Sequence, residues 1–511
     1  MLDITSPLAL LATSACVVLV YLTLRNIRPS QLPLPPGPPS YPIIGQLLSM
    51  PRSSEGKAFM EMSSKLNSDI ISYSFFGKTI IVLNSNEAAH DLLEKRSNIH
   101  SGRFCPPMIS SSGLMNMKDF LGFMDTNELW RKQRRAINAR LSKHAVTAFR
   151  ASQELEARRL LVRLLAVHTE PVSSEFLNEE FYRTTSTLFL QSVYGYELNT
   201  SHDPFFTDIM TLNKVLGQVS LPTTFLVNAL PWLEHIPDWV PGTGWKKTAY
   251  EWRALKDRAM GDIYNWTKQR VVSGVDDSSI VSLTYKEVRQ TGSSETDADE
   301  FCKSIATMLI AAGTETSTLA MMWFVVAMAI YPEIQEKAQR EIDEVVGSNR
   351  LPTIEDRPNL PYVERLLGEI VRWHPSAPFG VPHVCTEENV YRGYRIPKGA
   401  IIATVRDECV YKDADKFDPD RFLDPNLPPS QAFGWGLRIC PGQHFFREIF
   451  YFEVALILAT LKIERCKDES GKEIIPTQEM LPNSAIECPV PFKIRITPRS
   501  EHHAELIRTA E

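Results

Sequence analysis

The stretch FGWGLRICPGQHF, from Phe433 to Phe445, places Cys440 among three glycines, an arginine and a proline, where a long apolar run begins. Gly434, Gly436 and Gly442 let the backbone approach a flat ligand and turn its amides toward the sulfur. Pro441 suits the first turn of a helix expected from Gln443 to Leu461. Cys440 then stands at a helix N-terminus, where the helix dipole and amide donors lower a cysteine pKa and favour the thiolate, the form that binds metal.

The eight cysteines, at 16, 105, 302, 385, 409, 440, 466 and 488, include no C-x-x-C pair, so neither a zinc site nor a dense disulfide framework is expected. With one cysteine in reach, a metal at Cys440 must be held mainly by something else. A haem supplies four nitrogens and leaves one protein ligand to find, and Arg438 is placed to pair a propionate. An isolated cysteine without such surroundings is more often a plain buried thiol.

The spacing F-G-x-G-x-R-x-C-P-G closely resembles the haem-binding signature of the haem-thiolate monooxygenases, the cytochrome P450 superfamily. Further stretches follow that family's chain order. Glu369-Ile370-Val371-Arg372 is similar to its E-x-x-R, which with Arg421 in FDPDRF (417–422) is implied to form an ion-paired lock behind the haem. Alone, that spacing is ordinary pairing on a helix surface. Trp130-x-x-x-Arg134 resembles the W-x-x-x-R that reaches a propionate, and His383 in GVPH stands where the family has a basic residue with the same task. Ala312-Gly313-Thr314-Glu315-Thr316-Ser317 is similar to the A-G-x-[D/E]-T-[T/S] of the long helix over the haem. It implies Glu315 and Thr316 as an acid and alcohol pair that relays protons for oxygen activation. Read without the family, Thr316 is a hydroxyl bonded back to its own helix.

The resemblance, strongest to fungal microsomal members, implies the cytochrome P450 fold, haem b as cofactor, and Trp130, Arg134, His383, Phe433, Arg438, Cys440 and Gly442 around it. It also implies a substrate pocket lined by Met308, Ala312, Phe379 and Val381 and by segments 101–124, 205–230 and 481–487. The sequence departs from the family in two places. Leu437 stands where an arginine is frequent, and the stretch between Gly399 and Asp407 is short, lacking the N-x-W-A-like strand and putting the local sheet in question.

Composition is that of a globular protein, 43% hydrophobic and 23% charged, and a net charge of −6 offers no basic face for nucleic acid. Most of the chain reads as helix. Leu129 to Leu164 carries helix formers, Pro332 to Val346 is a charged amphipathic helix stopped by Gly347, and Val363 to Trp373 is another, stopped by His374-Pro375. IISYSFFGKTIIVLNS (70–85) and NVYRGYRIPKGAIIATV (389–405) alternate like hairpins around Gly77 and Gly399, so the expected class is mainly α with a smaller β part. Ile305 to Ile330 is apolar enough for a membrane, but Glu315 near its middle favours a core helix, with Gly313 and the hydroxyls disturbing the backbone.

Ile4 to Leu24 carries no charge over 21 residues and is expected to span a bilayer. Asp3 precedes it and no clear cleavage site closes it, unlike a signal peptide. Arg25 and Arg28 follow, which predicts a single-pass protein of the endoplasmic reticulum with its body in the cytosol. The sequons at Asn199 and Asn265 are then chance matches. The expected organisation is an anchor at 1–28, a stiff proline-rich hinge at 29–42 and a catalytic domain at 43–511.

The expected function is insertion of one oxygen atom from O2 into a small lipophilic molecule, such as a terpenoid or other fungal secondary metabolite, by hydroxylation or epoxidation. Only 71 residues follow Cys440, too few for flavin and nicotinamide domains, so electrons are expected from a separate NADPH-cytochrome reductase, with cytochrome b5 as a second donor. Arg131, Lys132 and Arg135 are expected to help it dock. The alternatives are a haem-dependent isomerase or dehydratase, whose members typically lack the acid and alcohol, and a non-catalytic haem protein.

Overall fold

The longest helix, Glu295–Ile330, organises the molecule. The structure, a computed structural model, describes residues 32–42, 44–51, 55–198, 203–219, 224–275, 278–405, 410–428, 430–481 and 488–509. Ser294 caps the central helix by accepting the Asp297 amide, and Glu295 and Asp297 place negative charge in its first turn. From Leu319 to Ala329 every residue is buried, the mark of a helix surrounded on all sides. Its most apolar window is 72% buried inside the fold, so the core-helix reading holds.

The helix runs unbroken through Gly313. The expected disturbance there is absent, and the glycine has a different reason: a Cβ would overlap the ring of Phe189 from helix Ser174–Tyr194. The hydroxyls bond back one turn. Thr314 donates to the Ile310 carbonyl at 2.9 Å, Thr316 to Ala312 at 2.7 Å and Thr318 to Thr314 at 2.9 Å.

Helices Arg150–Ala166, Ser174–Tyr194, Pro332–Val345, Pro361–Trp373 and Gln443–Thr460 enclose the C-terminal half of this helix in one core around Trp323, Phe324, Tyr451 and Phe452. A second cluster, with Phe189, Ile305, Ile310 and Phe445, lies along its N-terminal half. The run 129–164, read as helical, is two helices, Glu128–Leu141 and Arg150–Ala166, parted by extended Ser142 and a 3-10 turn at Ala145–Phe149.

The β part is small, as expected. The five-stranded sheet has the order Ile70–Phe75, Lys78–Leu83, Ile401–Thr404, His383–Val384, Gly102–Arg103. Phe76 and Gly77 both take positive φ, the pair that a two-residue hairpin needs. The second hairpin turns at Arg392-Gly393, also both at positive φ, and not at Gly399. Alternation alone does not distinguish the two turns; strand Ile401–Thr404 instead leaves to run parallel to Lys78–Leu83. That strand lies in the sheet's interior, paired on both sides, so the shortened stretch keeps its sheet through Thr404. Residues 406–409 lie outside the described residues.

The expected anchor, the start of the hinge, Asn199 and pocket residues 482–487 also lie outside the described residues. The hinge from Leu32 is no free spacer. Proline carbonyls still accept hydrogen bonds, and here Ser72 donates its amide to Pro36 at 2.8 Å and its hydroxyl to Pro35 at 2.6 Å, while the Arg395 amide reaches Pro33 at 2.8 Å.

Candidate functional site

The Cys440 loop is closed by its own backbone: the Cys440 amide donates to the Phe433 carbonyl at 2.7 Å. Gly436 takes a positive φ, donates its amide to Glu94 at 2.6 Å, and a Cβ on it would overlap the Leu93 carbonyl. Its role is close packing behind the loop. Gly442 is the N-cap of helix Gln443–Thr460, so Pro441 precedes that helix and does not open its first turn. Phe433 packs at a tilt against Phe446 at 5.7 Å and carries the Arg447 guanidinium over its ring at 5.0 Å.

The amides of Gly442 and Gln443 reach the Cys440 sulfur, and the Arg134 charge lies near it. Burial nevertheless pushes the thiol up, outweighing those three lowering influences. The expected lowering therefore does not come from the protein alone. A coordinated metal would supply it, since a coordinating thiol is deprotonated outright.

Beside this loop lies a concentration of positive charge. Arg438 donates to the carbonyls of Ser101 at 2.9 Å and Met124 at 2.6 Å, and its guanidinium covers the Trp130 ring at 4.5 Å. Arg134 donates to the Ile439 carbonyl. Arg103, which no sequence spacing singled out, donates to the carbonyls of Val381 and Pro382, and its buried Nε has no partner. His383 is buried, with Nδ1 2.6 Å from the His100 carbonyl.

Burial, then the neighbouring Arg438 and Arg134, push the Arg103 guanidinium well down; burial brings Arg438 to about 10. Arg134 is lowered by burial, and His383 is held well below its ordinary value by burial and then by Arg103. Arginines keep their protons in proteins, so the physical content is an excess of buried positive charge. Against these three guanidiniums stands the carboxylate of Asp125, whose charge favours protonated Arg438 and which accepts the Arg103 backbone amide at 3.0 Å. The two propionates of a haem match that surplus, and the residues fit the group.

Across from the core, Ala312 is exposed although it lies midway along the central helix, and Thr316 and Glu315 are half-buried beside it. Burial pushes the Glu315 carboxyl up to about 7 against the lowering charge of Lys214. Ser376 donates to the Thr316 carbonyl at 2.9 Å. Met308 is half-buried between two apolar clusters. Phe379 packs edge-on against Phe59 at 5.9 Å, and the Val381 side chain is exposed.

The expected lock is assembled. Arg372 bonds Glu369 twice, at 2.6 and 2.8 Å, Arg421 Nε reaches the same carboxylate at 2.9 Å, and the Asp418 amide joins at 2.8 Å. Both guanidiniums also donate to carbonyls of the 412–416 loop: Arg372 to Ala414 at 2.9 Å and Arg421 to Lys412 at 2.8 Å. The structure thus brings Trp130, Arg134, His383 and Arg438 together near Cys440, and holds Glu369, Arg372 and Arg421 as a separate group.

The family profile for cytochrome P450 matches residues 35–489. The chain is 35% identical to cytochrome P450 monooxygenase 98 of Postia placenta, over 98% of this chain and 97% of that protein. It is 35% identical to cytochrome P450 monooxygenase claR of Ampulloclitocybe clavipes, over 93% and 88%, and 32% identical to cytochrome P450 monooxygenase CLM2 of Gibberella zeae, over 94% and 92%. With the mainly α fold and a site suited to haem, these likenesses lead to one conclusion: the chain belongs to the cytochrome P450 family and is a haem-containing monooxygenase.

Proposed function

We propose that this protein inserts one oxygen atom from O2 into a small lipophilic secondary metabolite, such as a terpenoid, using electrons from NADPH delivered by a separate membrane-bound reductase. The observation that carries the reading is Cys440, with two amides at its sulfur, beside guanidiniums that outnumber their carboxylate. When bound, the haem supplies oxygen activation. Cys440 would ligate its iron, while Trp130, Arg134, Arg438 and His383, joined by Arg103, would hold its propionate edge. Phe433 and Gly442 shape the cysteine loop around it. Glu315, with a carboxyl near 7, takes up and returns protons at neutral pH, and the Thr316 hydroxyl hands them on. Ala312 and Met308 offer an apolar wall to the substrate, with Phe379 and Val381 at its margin.

Exposed Arg131, Lys132 and Arg135 lie on the helix that bears Trp130 and Arg134, which supports docking of an acidic electron donor, the reductase or cytochrome b5, on the cysteine side. A membrane anchor at 1–28 and residence on the endoplasmic reticulum are supported by the uncharged run Ile4 to Leu24. Exposed Leu48, Phe76, Leu226, Trp232 and Trp239 give further support. The hinge is tied to strand Ile70–Phe75, and Lys78 in the next strand donates to the Asn228 carbonyl beside Leu226 at 2.7 Å.

The test is reconstitution with reductase, NADPH and isotopically labelled O2 on a panel of lipophilic substrates. Product carrying one labelled oxygen, dependent on all three, is expected. Turnover of an oxidised lipid without NADPH would establish the isomerase alternative instead.

A further inference from the structure

Helices Ser174–Tyr194, Pro204–Val219 and Glu295–Ile330 meet at a buried polar node. Asn213 Nδ2 donates to the Tyr182 hydroxyl at 3.0 Å and to the Thr314 hydroxyl at 2.8 Å, while Thr314 passes its own hydrogen to the Ile310 carbonyl. Asn213 is 3% exposed, Tyr182 5% and Thr314 0%. The surroundings are apolar: Phe206 packs edge-on to Tyr182 at 5.8 Å, and Ile209, Leu212 and Ile310 line a small cavity beside Asn213. Packing alone would be served by a leucine, which carries no desolvation cost at such a position. The node instead sets a register. Asn213 is next to Lys214 and Thr314 is next to Glu315, so one pair of adjacent residues docks on the other.

We propose that Asn213 is a positioning residue: by pinning helix Pro204–Val219 to the central helix at Thr314, it keeps the Lys214 charge within electrostatic reach of Glu315 and so governs when Glu315 exchanges protons. Three other segments among the described residues bring titratable groups within electrostatic reach of the Glu315 carboxyl. They contribute Lys214, Tyr182 from helix Ser174–Tyr194 and Cys488 from the C-terminal segment. Burial raises the Tyr182 hydroxyl and brings the Cys488 thiol to about 11, so both stay neutral and Lys214 is the charge that acts. Helix Pro204–Val219 belongs to the segment expected to line the pocket, so displacing it moves the cation and alters the acid in one step. The inference rests on the reading of Glu315 as the proton carrier.

The test is an infrared titration of the Glu315 carboxyl in the haem-loaded enzyme, isolated by subtracting the Glu315→Gln spectrum. The wild-type midpoint is expected near 7. Lys214→Met should raise it by about one unit. Asn213→Leu and Thr314→Val should raise it in the same direction and add nothing further when combined with Lys214→Met, because they act through the same cation. Thr314→Val is close in shape to the native residue and keeps the test available if Asn213→Leu does not load haem. A midpoint that Lys214→Met moves and both node variants leave in place would reduce the node to packing and overturn the proposal. Additive shifts, or none with Lys214→Met, would overturn it too. Glu315→Gln with unchanged product per NADPH would instead remove the proton-carrier reading, a result separate from the titration.

Discussion

Glu369 and Arg372, three residues apart on one helix, meet in a two-bond fork, Nε to Oε2 at 2.6 Å and Nη2 to Oε1 at 2.8 Å, with neither side chain open to solvent. Arg421 shares the same carboxylate from the far side of the 412–418 loop. Three elements are thereby tied to one buried anion.

Glu369→Gln leaves two largely buried guanidiniums without their counter-charge, which costs on the order of 3–5 kcal/mol when a buried pair is broken. The expected result is loss of most haem-loaded protein and an earlier urea midpoint. Arg372→Lys, which keeps the charge and loses the fork, should fall between that variant and the wild type.

Cys440→Ser removes the sulfur on which the proposed ligation depends. Reduced wild-type protein under carbon monoxide should absorb well to the red of a histidine-ligated haem, and the variant should lack that band. A variant that keeps both the band and full turnover would show that another residue ligates the iron.

Thr316→Ala should bind haem and substrate normally and waste electrons. Its hydroxyl is bonded back to Ala312 beside exposed surface and contributes nothing to the lock or the guanidinium group. NADPH consumption should continue while product per NADPH falls several-fold and hydrogen peroxide rises. Unchanged coupling would place the proton path elsewhere, with Ser317 the adjacent hydroxyl to vary next.

Glu453 offers a test by pH. It is 2% exposed on helix Gln443–Thr460, its Oε1 has no partner, and burial pushes its carboxyl from 4.5 up to about 8 against the lowering charge of Arg163. Between those values the folded chain holds a proton that the unfolded chain has released. Stability from this group is therefore full below 4.5 and is lost as pH rises through 8. Glu453→Gln should flatten that slope and be the more stable protein above pH 8, read from denaturant unfolding across the range.

Gly313→Ala drives a methyl group into the Phe189 ring, which also packs on Phe445 at 5.0 Å from the cysteine helix. Overpacking of this kind costs about 1–3 kcal/mol. A lowered melting temperature is expected, and Phe189→Leu on the same background should recover part of it.

Local spacing encodes one part of this architecture. An i, i+3 pair on a helix can meet whatever surrounds it, so Glu369 and Arg372 were legible, as were the helix that starts after Gly442 and the hairpin at Phe76-Gly77. Tertiary structure alone decided which distant segments meet. Arg438 is held by carbonyls of Ser101 and Met124, more than 300 positions away, and Arg103 enters the same group with no motif to mark it. The turn at Gly393 over Gly399, the reason for Gly313 and the Asn213 node belong to the same class. The physical reason is that periodicity says which face of an element is apolar, while the choice of partner for that face, and the register in which polar neighbours are trapped, follows from burying all such faces at once.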